Sequence, residues 1–254
     1  MFEIYRSDTQ RWFPVAHVDE AQMREVDRIA VEEFRLGLLQ MMENAGRNLA
    51  TQAFRFLKKT ASSVQPYRVL VAAGSGGNGG GGLCAARHLH NHGVEVNLML
   101  TSSPDRLGGA AEAQLSILHS AGVVPLDFEE AAEEIHSMDL VLDAVIGYSL
   151  KGAPRGAAKR AIELVNGSGV PVISLDLPSG VDASNGETPG VRIQAAQTLT
   201  LALPKPGLKN PASGELFLAD IGIPPEVYLP LGMQVDPFTG DDYIHPLRVV
   251  NINL

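Results

Sequence analysis

The chain has 254 residues, 45% of them hydrophobic, which is enough to bury one large core and fits a single α/β domain. Its formal net charge of −9 opposes non-specific attraction to nucleic-acid phosphates or anionic membranes, so neither partner is expected and an anionic ligand has to be held locally. The one cysteine, Cys84, excludes an intrachain disulfide and a cysteine-rich zinc site and points to a reducing, cytoplasmic address.

The first twenty residues mix polar, aromatic and charged types without the apolar stretch of a signal peptide. No later run approaches the roughly 20 apolar residues of a membrane span. From Asp19 to Ala30, Met23, Val26, Ile29 and Ala30 recur at helical spacing with Asp19 as N-cap, and a second helix is expected from Leu38 to Leu57, closed by Lys58 and Lys59. Tyr67 to Ala73 reads as a strand covered on both faces. The alternation then repeats: helix from about Gly82 to His92, strand Val94–Leu100, helix Gly108–Ser120, strand Leu140–Ile146, helix Arg155–Val165, strand Val170–Leu175. Such alternation predicts crossover units and a mostly parallel sheet. Ala195–Ala202 and Glu215–Ala219 read as two further strands without an intervening helix, extending one edge of the sheet. The tail from Pro224 reads as an irregular wrap, so the expected division is a domain over residues 1–225 and a C-terminal extension over 226–254.

In an open parallel sheet, ligands bind outside the carboxyl ends of the strands, where helix N-termini turn their N–H groups into the gap. Three loops there stand out. The first, Gly74 to Gly82, has seven glycines in nine positions and contains a GxGxxG match at Gly74, Gly76 and Gly79. A dinucleotide fold of the dehydrogenase type also needs an acidic residue after the next strand, and Thr101-Ser102-Ser103 stands there instead, which disfavours an ordinary NAD-dependent oxidoreductase. The other two loops begin at Asp143 and Asp176, carboxylates at the ends of apolar strands that need a cation or a proton to offset desolvation. His88 and His92 share one helical face but read as packing and solvated residues rather than metal ligands. Cys84, close behind the glycines, reads as a buried packing residue.

Several stretches together resemble the YjeF N-terminal domain family, whose characterised enzymes are NAD(P)H-hydrate epimerases. They are Met41-Met42-Glu43-Asn44-Ala45-Gly46, Gly76 to Leu83 with Ala85 to Leu89, Asp143 with Gly147 to Gly156, Asp176 to Asp182, Thr198 to Leu208, and Ala219 to Pro224. The likeness runs over about residues 19 to 225. It implies a three-layer αβα sandwich with a Rossmann-like sheet and N-terminal helices, and an isomerase of metabolite repair that interconverts the R and S forms of hydrated NADH and NADPH. It further implies potassium (K+) held by Asn78, Asp143 and Ser179. Substrate contacts would come from Gly77, Asn78, Gly79, Gly80, Gly81, Gly147, Tyr148, Ser149, Leu150, Lys151, Gly152, Ala153 and Asp176, with Asp176 as the catalytic proton carrier and Lys151 placed to meet a phosphate. Family members are often homodimers, and the N-terminal helices are the expected contact. This sequence departs from the family loop Asn-Asn-Gly-Gly-Asp-Gly, with Gly77 for the first amide and Gly81 for the acid. That departure motivates an alternative, a non-catalytic ligand- or partner-binding member of the family.

Overall fold

The computed structural model describes residues 1–254 except 62–65, 237, 239 and 251–254. The N-terminal segment forms a hairpin, β1 (Phe2–Arg6) and β2 (Arg11–Val15), then two helices, α1 (Glu20–Glu32) and α2 (Leu38–Thr60). The Asp19 carboxylate accepts from the Gln22 N–H while the Gln22 side chain accepts from the Asp19 N–H, a reciprocal cap that fixes where α1 starts. The alternating part comes next: β3 (Arg68–Ala73), α3 (Gly77–Asn91), β4 (Glu95–Leu100), α4 (Gly109–Ser120), β5 (Pro125–Leu126), α5 (Phe128–Glu134), β6 (Leu140–Ala144), α6 (Gly156–Ser168) and β7 (Val172–Leu175). Then come β8 (Gln197–Leu201), β9 (Glu215–Ala219) and, after a 3-10 turn at Pro225–Leu231, β10 (Ile244–Val249).

The strands make one sheet in the order β2-β1-β10-β9-β8-β7-β6-β3-β4-β5. The pairings from β9 through β5 are all parallel, and β10, β1 and β2 are added antiparallel. Alternate residues of the central strands face opposite layers. Val69, Val71 and Ala73 pack under the side that carries α1 to α4, and Leu70 and Ala72 pack under the side that carries α5 and α6. The molecule is therefore the three-layer αβα sandwich that the family resemblance implies, with the mostly parallel sheet that the pattern predicts.

Three expectations change. The tail is not an irregular wrap throughout, because Ile244–Val249 supplies a strand between β1 and β9, with Ile244 opposite Ala219 and Phe2 opposite Val249. Accordingly β8 and β9 lie inside the sheet rather than on its edge. Helix α3 begins at Gly77, five residues before the expected start, so most of the glycine run is helix and not loop.

The chain runs outward from β3 to β4 and β5, then returns to the other side of β3 to lay down β6, β7, β8 and β9. The gap between β3 and β6 is thus a switch point, where the loops leaving the two strands diverge and open a crevice.

Candidate active site

A cleft of about 570 Å³ lies at that switch point. Its floor is made by the segments that leave the parallel strands: Gly74 to Asn78 after β3, Thr101 after β4, Val145 to Ser149 after β6, Asp176 after β7, and Leu201 at the end of β8 with Lys205 beyond it. Met23 and Asp27 of α1 and Leu38, Met41 and Met42 of α2 form one wall. Arg155, Ala157 and Ala158, at the N-terminus of α6, also line it.

Asp176 stands in the left-handed region, with φ 69°, a conformation that Asp tolerates better than most residues. Its carboxylate is 3% exposed and meets Lys205, itself 1% exposed, with Nζ donating to Oδ1 at 2.5 Å. Lys205 also donates to the Leu201 carbonyl at 2.8 Å, which ties its ammonium to the end of β8. The other Asp176 oxygen, Oδ2, accepts from the Tyr148 N–H at 3.1 Å. Asp176 is therefore one half of a buried ion pair aimed into the cleft. Gly147 keeps this corner open: a Cβ at that position would lie 3.1 Å from Asn78 Oδ1 and 3.3 Å from Asp176 Oδ2, and those side chains would have to give way by a few tenths of an ångström.

Asp143, at the end of β6, is fully buried and forms no ion pair among the described residues. Its oxygens accept from the Ser179 hydroxyl at 2.5 Å, the Ser174 hydroxyl at 2.8 Å, the Ser179 N–H at 2.9 Å and the Val145 N–H at 3.3 Å. Burial pushes its carboxyl above the ordinary range, and the hydrogen bonds from Ser179 and Ser174 pull against that rise. The Ser179 hydroxyl also accepts from the Ile146 N–H at 2.8 Å, which links the second and third loops. Beside Gly147, the buried Asn78 amide nitrogen has no hydrogen-bond partner among the described residues. Turning the amide over would present oxygen instead, so this side chain is free to serve a cation. A buried carboxylate without an ion pair, a hydroxyl and an unengaged amide are the oxygen donors that suit a large monovalent cation.

The expected substrate residues divide. Gly77, Asn78, Gly147, Tyr148, Ser149 and Asp176 line the cleft. Gly79, Gly80 and Gly81 do not, being buried in α3 for packing. A Cβ on Gly79 would sit 1.8 Å from the Gly74 carbonyl oxygen, one on Gly80 3.2 Å from the Ala110 Cβ, and one on Gly81 2.8 Å from the end of Leu175. Leu150 is buried away from the cleft, and Lys151, Gly152 and Ala153 are not among its lining residues. The turn through Gly152, with φ 68°, leaves Lys151 exposed, and Arg155 is the cation at this rim. Sequence reasoning missed Arg155, Lys205 and Asp27. For Asp27 the signal was present, since it sits next to Val26 and four residues after Met23, a carboxylate bordering the apolar stripe of α1.

Outside the cleft, Cys84 and His88 of α3 meet Glu43 of α2. Arg87 and His88 reach the Glu43 carboxylate at 2.5 and 2.8 Å, and Cys84 donates to it at 3.4 Å. Burial works to raise that carboxyl, but the hydrogen bonds from Arg87, Cys84 and His88 outweigh it and hold it at about 2. Burial pushes the Cys84 thiol up to about 12, as befits a packing cysteine.

A Rossmann-like sheet with a buried Asp–Lys pair lining the cleft that opens at its switch point defines an α/β domain that handles a small molecule at the strand ends. Residues 38–207 match the YjeF-related protein N-terminus family. The chain belongs to that family. It is 50% identical over 212 residues to the NAD(P)H-hydrate epimerase of Dehalogenimonas lykanthroporepellens, covering 84% of each chain. It is 35% identical over 216 residues to the enzyme of the same name from Pirellula staleyi, covering 81% of this chain and 92% of that one. With the bifunctional NAD(P)H-hydrate repair enzyme Nnr of Moorella thermoacetica it shares 37% identity over 217 residues, which cover 40% of that longer protein. The crystal structure of the yeast protein YNL200c superposes with a TM-score of 0.79 at 24% identity, covering 91% of this chain and all of that one, and supports the fold.

Proposed function

We infer that this protein is an NAD(P)H-hydrate epimerase, an isomerase that interconverts the R and S forms of hydrated NADH and NADPH. The observation that carries the reading is the buried Asp176–Lys205 pair opening on a cleft of about 570 Å³, in a chain 50% identical to an enzyme of that name. The hydrate carries a hydroxyl on the carbon beside the ring nitrogen, so inversion needs loss and return of that oxygen or opening and reclosure of the ring. Both routes move a proton at that oxygen. Asp176 is the group to move it, held in place by Lys205 on one oxygen and by the Tyr148 N–H on the other. The N-termini of α3 and α6, with Arg155, give the substrate's pyrophosphate a positive rim on a protein of net charge −9.

Gly81 bears on the non-catalytic alternative. Its position faces Leu175 and Ala45 inside the packing of α3, and it is not among the residues that line the cleft. The reading includes potassium held by Asn78, Asp143 and Ser179, supported by the buried Asp143 carboxylate, without an ion pair among the described residues, and the unengaged Asn78 amide. A bound cation would supply a fixed positive charge that compensates Asp143 and attracts the anionic substrate. The reading also includes a cytoplasmic homodimer. Val31, Phe34, Leu38 and Leu39, exposed on and between the N-terminal helices, are the apolar surface it would cover, and no described helix is long and apolar enough to cross a membrane.

The test is to incubate the protein with the separated R hydrate of NADPH, in potassium or sodium buffer, and to follow the S form by chromatography. Conversion well above the spontaneous rate is expected, faster in potassium. Conversion at the spontaneous rate in both buffers overturns the epimerase reading, and equal enzymatic rates in both overturn the potassium assignment alone.

A further inference from the structure

We propose that Asp27 is a second proton-carrying carboxyl group of this reaction, positioned by Tyr148, so that proton transfer is divided between Asp27 and Asp176. The inference rests on the epimerase reading and deepens it. Both carboxyls line the same cleft and hang from opposite ends of one residue. The Tyr148 N–H donates to Asp176 Oδ2 at 3.1 Å, and the Tyr148 hydroxyl donates to Asp27 Oδ2 at 2.6 Å. They differ in what surrounds them. Asp176 is paired with the Lys205 ammonium, whereas Asp27 forms no ion pair among the described residues and keeps one carboxyl oxygen free of any hydrogen bond among them.

The groups that face Asp27 come from several elements: Arg24 on its own helix, Tyr148 after β6, Asp176 after β7, Lys205 after β8, and Tyr228 in the 3-10 turn. Arg24 is engaged by Glu20 at 2.6 Å and lies over the Tyr148 ring at 6.0 Å. Burial pushes the Asp27 carboxyl up, the Tyr148 hydrogen bond and the Lys205 charge pull it down, and the Asp176 charge adds to the rise. Two carboxyls in one cleft, one offset by a cation and the other desolvated, have the separation of character that an acid and base couple needs.

In one direction, the protonated Asp27 carboxyl gives its proton to the hydroxyl of the hydrate. The C–O bond breaks with its pair on oxygen, water leaves, and the ring-nitrogen lone pair forms a C=N bond. Water then adds to the other face, the C=N pair returns to nitrogen, and the surplus proton passes to the Asp176 carboxylate. Exchange with solvent resets both groups, and in the reverse direction the roles exchange.

The bland reading is that Asp27 merely anchors Tyr148. Asp27→Asn separates the two, because an amide oxygen still accepts the tyrosine hydroxyl but cannot carry the proton. Turnover of the R hydrate is measured against pH for the parent protein, Asp27→Asn and Tyr148→Phe, with thermal melts to check folding. Asp27→Asn is expected to lower kcat by about 10²- to 10⁴-fold with KM little changed. In Tyr148→Phe, the alkaline limb of the kcat profile is expected to move to higher pH by roughly 0.5 to 1 unit, because the Asp27 carboxylate loses a hydrogen bond that stabilises it. Near-parental kcat in Asp27→Asn, or an unmoved limb in Tyr148→Phe, overturns the proposal while the epimerase reading stands. A parent protein without turnover overturns both.

Discussion

Lys205 and Asp176 are a buried pair, and the consequence of that differs for stability and for chemistry. Removing one partner strands an unpaired charge in the interior, at a cost of about 3–5 kcal/mol, whereas replacing both with neutral groups of similar shape is close to neutral. Lys205→Met is therefore expected to lower stability by about that amount and to abolish turnover. The double variant with Asp176→Asn should recover most of the stability and none of the activity. Asn suits the left-handed backbone at position 176, so the comparison does not confound charge with strain. Urea denaturation and the turnover assay, run on the same preparations, check both halves, and a double variant no more stable than Lys205→Met would contradict the argument. Asp176 was legible in the sequence because it closes an apolar strand. Lys205 was not, because it reaches back to β7 through a turn in which Ala202 adopts φ 63°, and nothing in Leu203-Pro204-Lys205-Pro206 announces that path.

Helix α3 starts on a run that intrinsic preference would leave as coil. Each glycine in a helix interior costs about 1 kcal/mol relative to alanine, so the residues Gly79 to Gly82 are helical only because packing outweighs propensity. The contacts show what is gained. A Cβ on Gly82 would lie 2.4 Å from the Cβ of Ala144, at the end of β6, and one on Gly46 of α2 would lie 2.4 Å from the Cβ of Cys84. Absent side chains let α3 settle against β6 and against α2, which brings the start of α3 and Asn78 to the cleft. The sequence marked this stretch as special but led to its reading as loop, because propensity is local and the partners are 62 residues downstream, at Ala144, and 38 residues upstream, at Gly46. Gly79→Ala, set against the backbone oxygen of Gly74, and Gly82→Ala are each expected to cost about 1–3 kcal/mol or more. Gly81→Ala meets only the far end of the Leu175 side chain and should stay within about 1 kcal/mol of the parent, helped by its gain in helix propensity. Thermal melts of the three variants give the ranking, and a Gly81→Ala protein as unstable as Gly82→Ala would show that this packing argument is misplaced.

At the scale of the molecule, six of the seven parallel strands were legible because their period and punctuation are local; the two-residue β5 was not, and neither was the three-stranded antiparallel part. Its strands come from both chain ends, β1 and β2 from the first fifteen residues and β10 from the last eleven, and each mixes charged, aromatic or proline residues with apolar ones, so none announces itself. They find one another over the whole chain length. The Met1 carbonyl accepts from the Val250 N–H at 2.9 Å, and Glu3 pairs with Arg248 at 2.7 Å. Beneath them lies a separate apolar cluster in which Phe2, Ile4 and Leu247 pack with Leu177, Val181 and Leu208. Those last three belong to the loops that carry Asp176, Ser179 and Lys205, so the late strands support the site from behind. A protein shortened to residues 1–225 loses β10 from between β1 and β9 and uncovers that cluster. The hairpin is then expected to detach, since an isolated two-stranded ribbon is marginal at best. Hydrogen exchange should become fast in Phe2–Val15 and should also rise around residues 176–181. Turnover should fall with that second change, although no residue of the cleft has been removed. Protection at 176–181 equal to that of the full chain would mean that the strand order is ornament to the site and not its support.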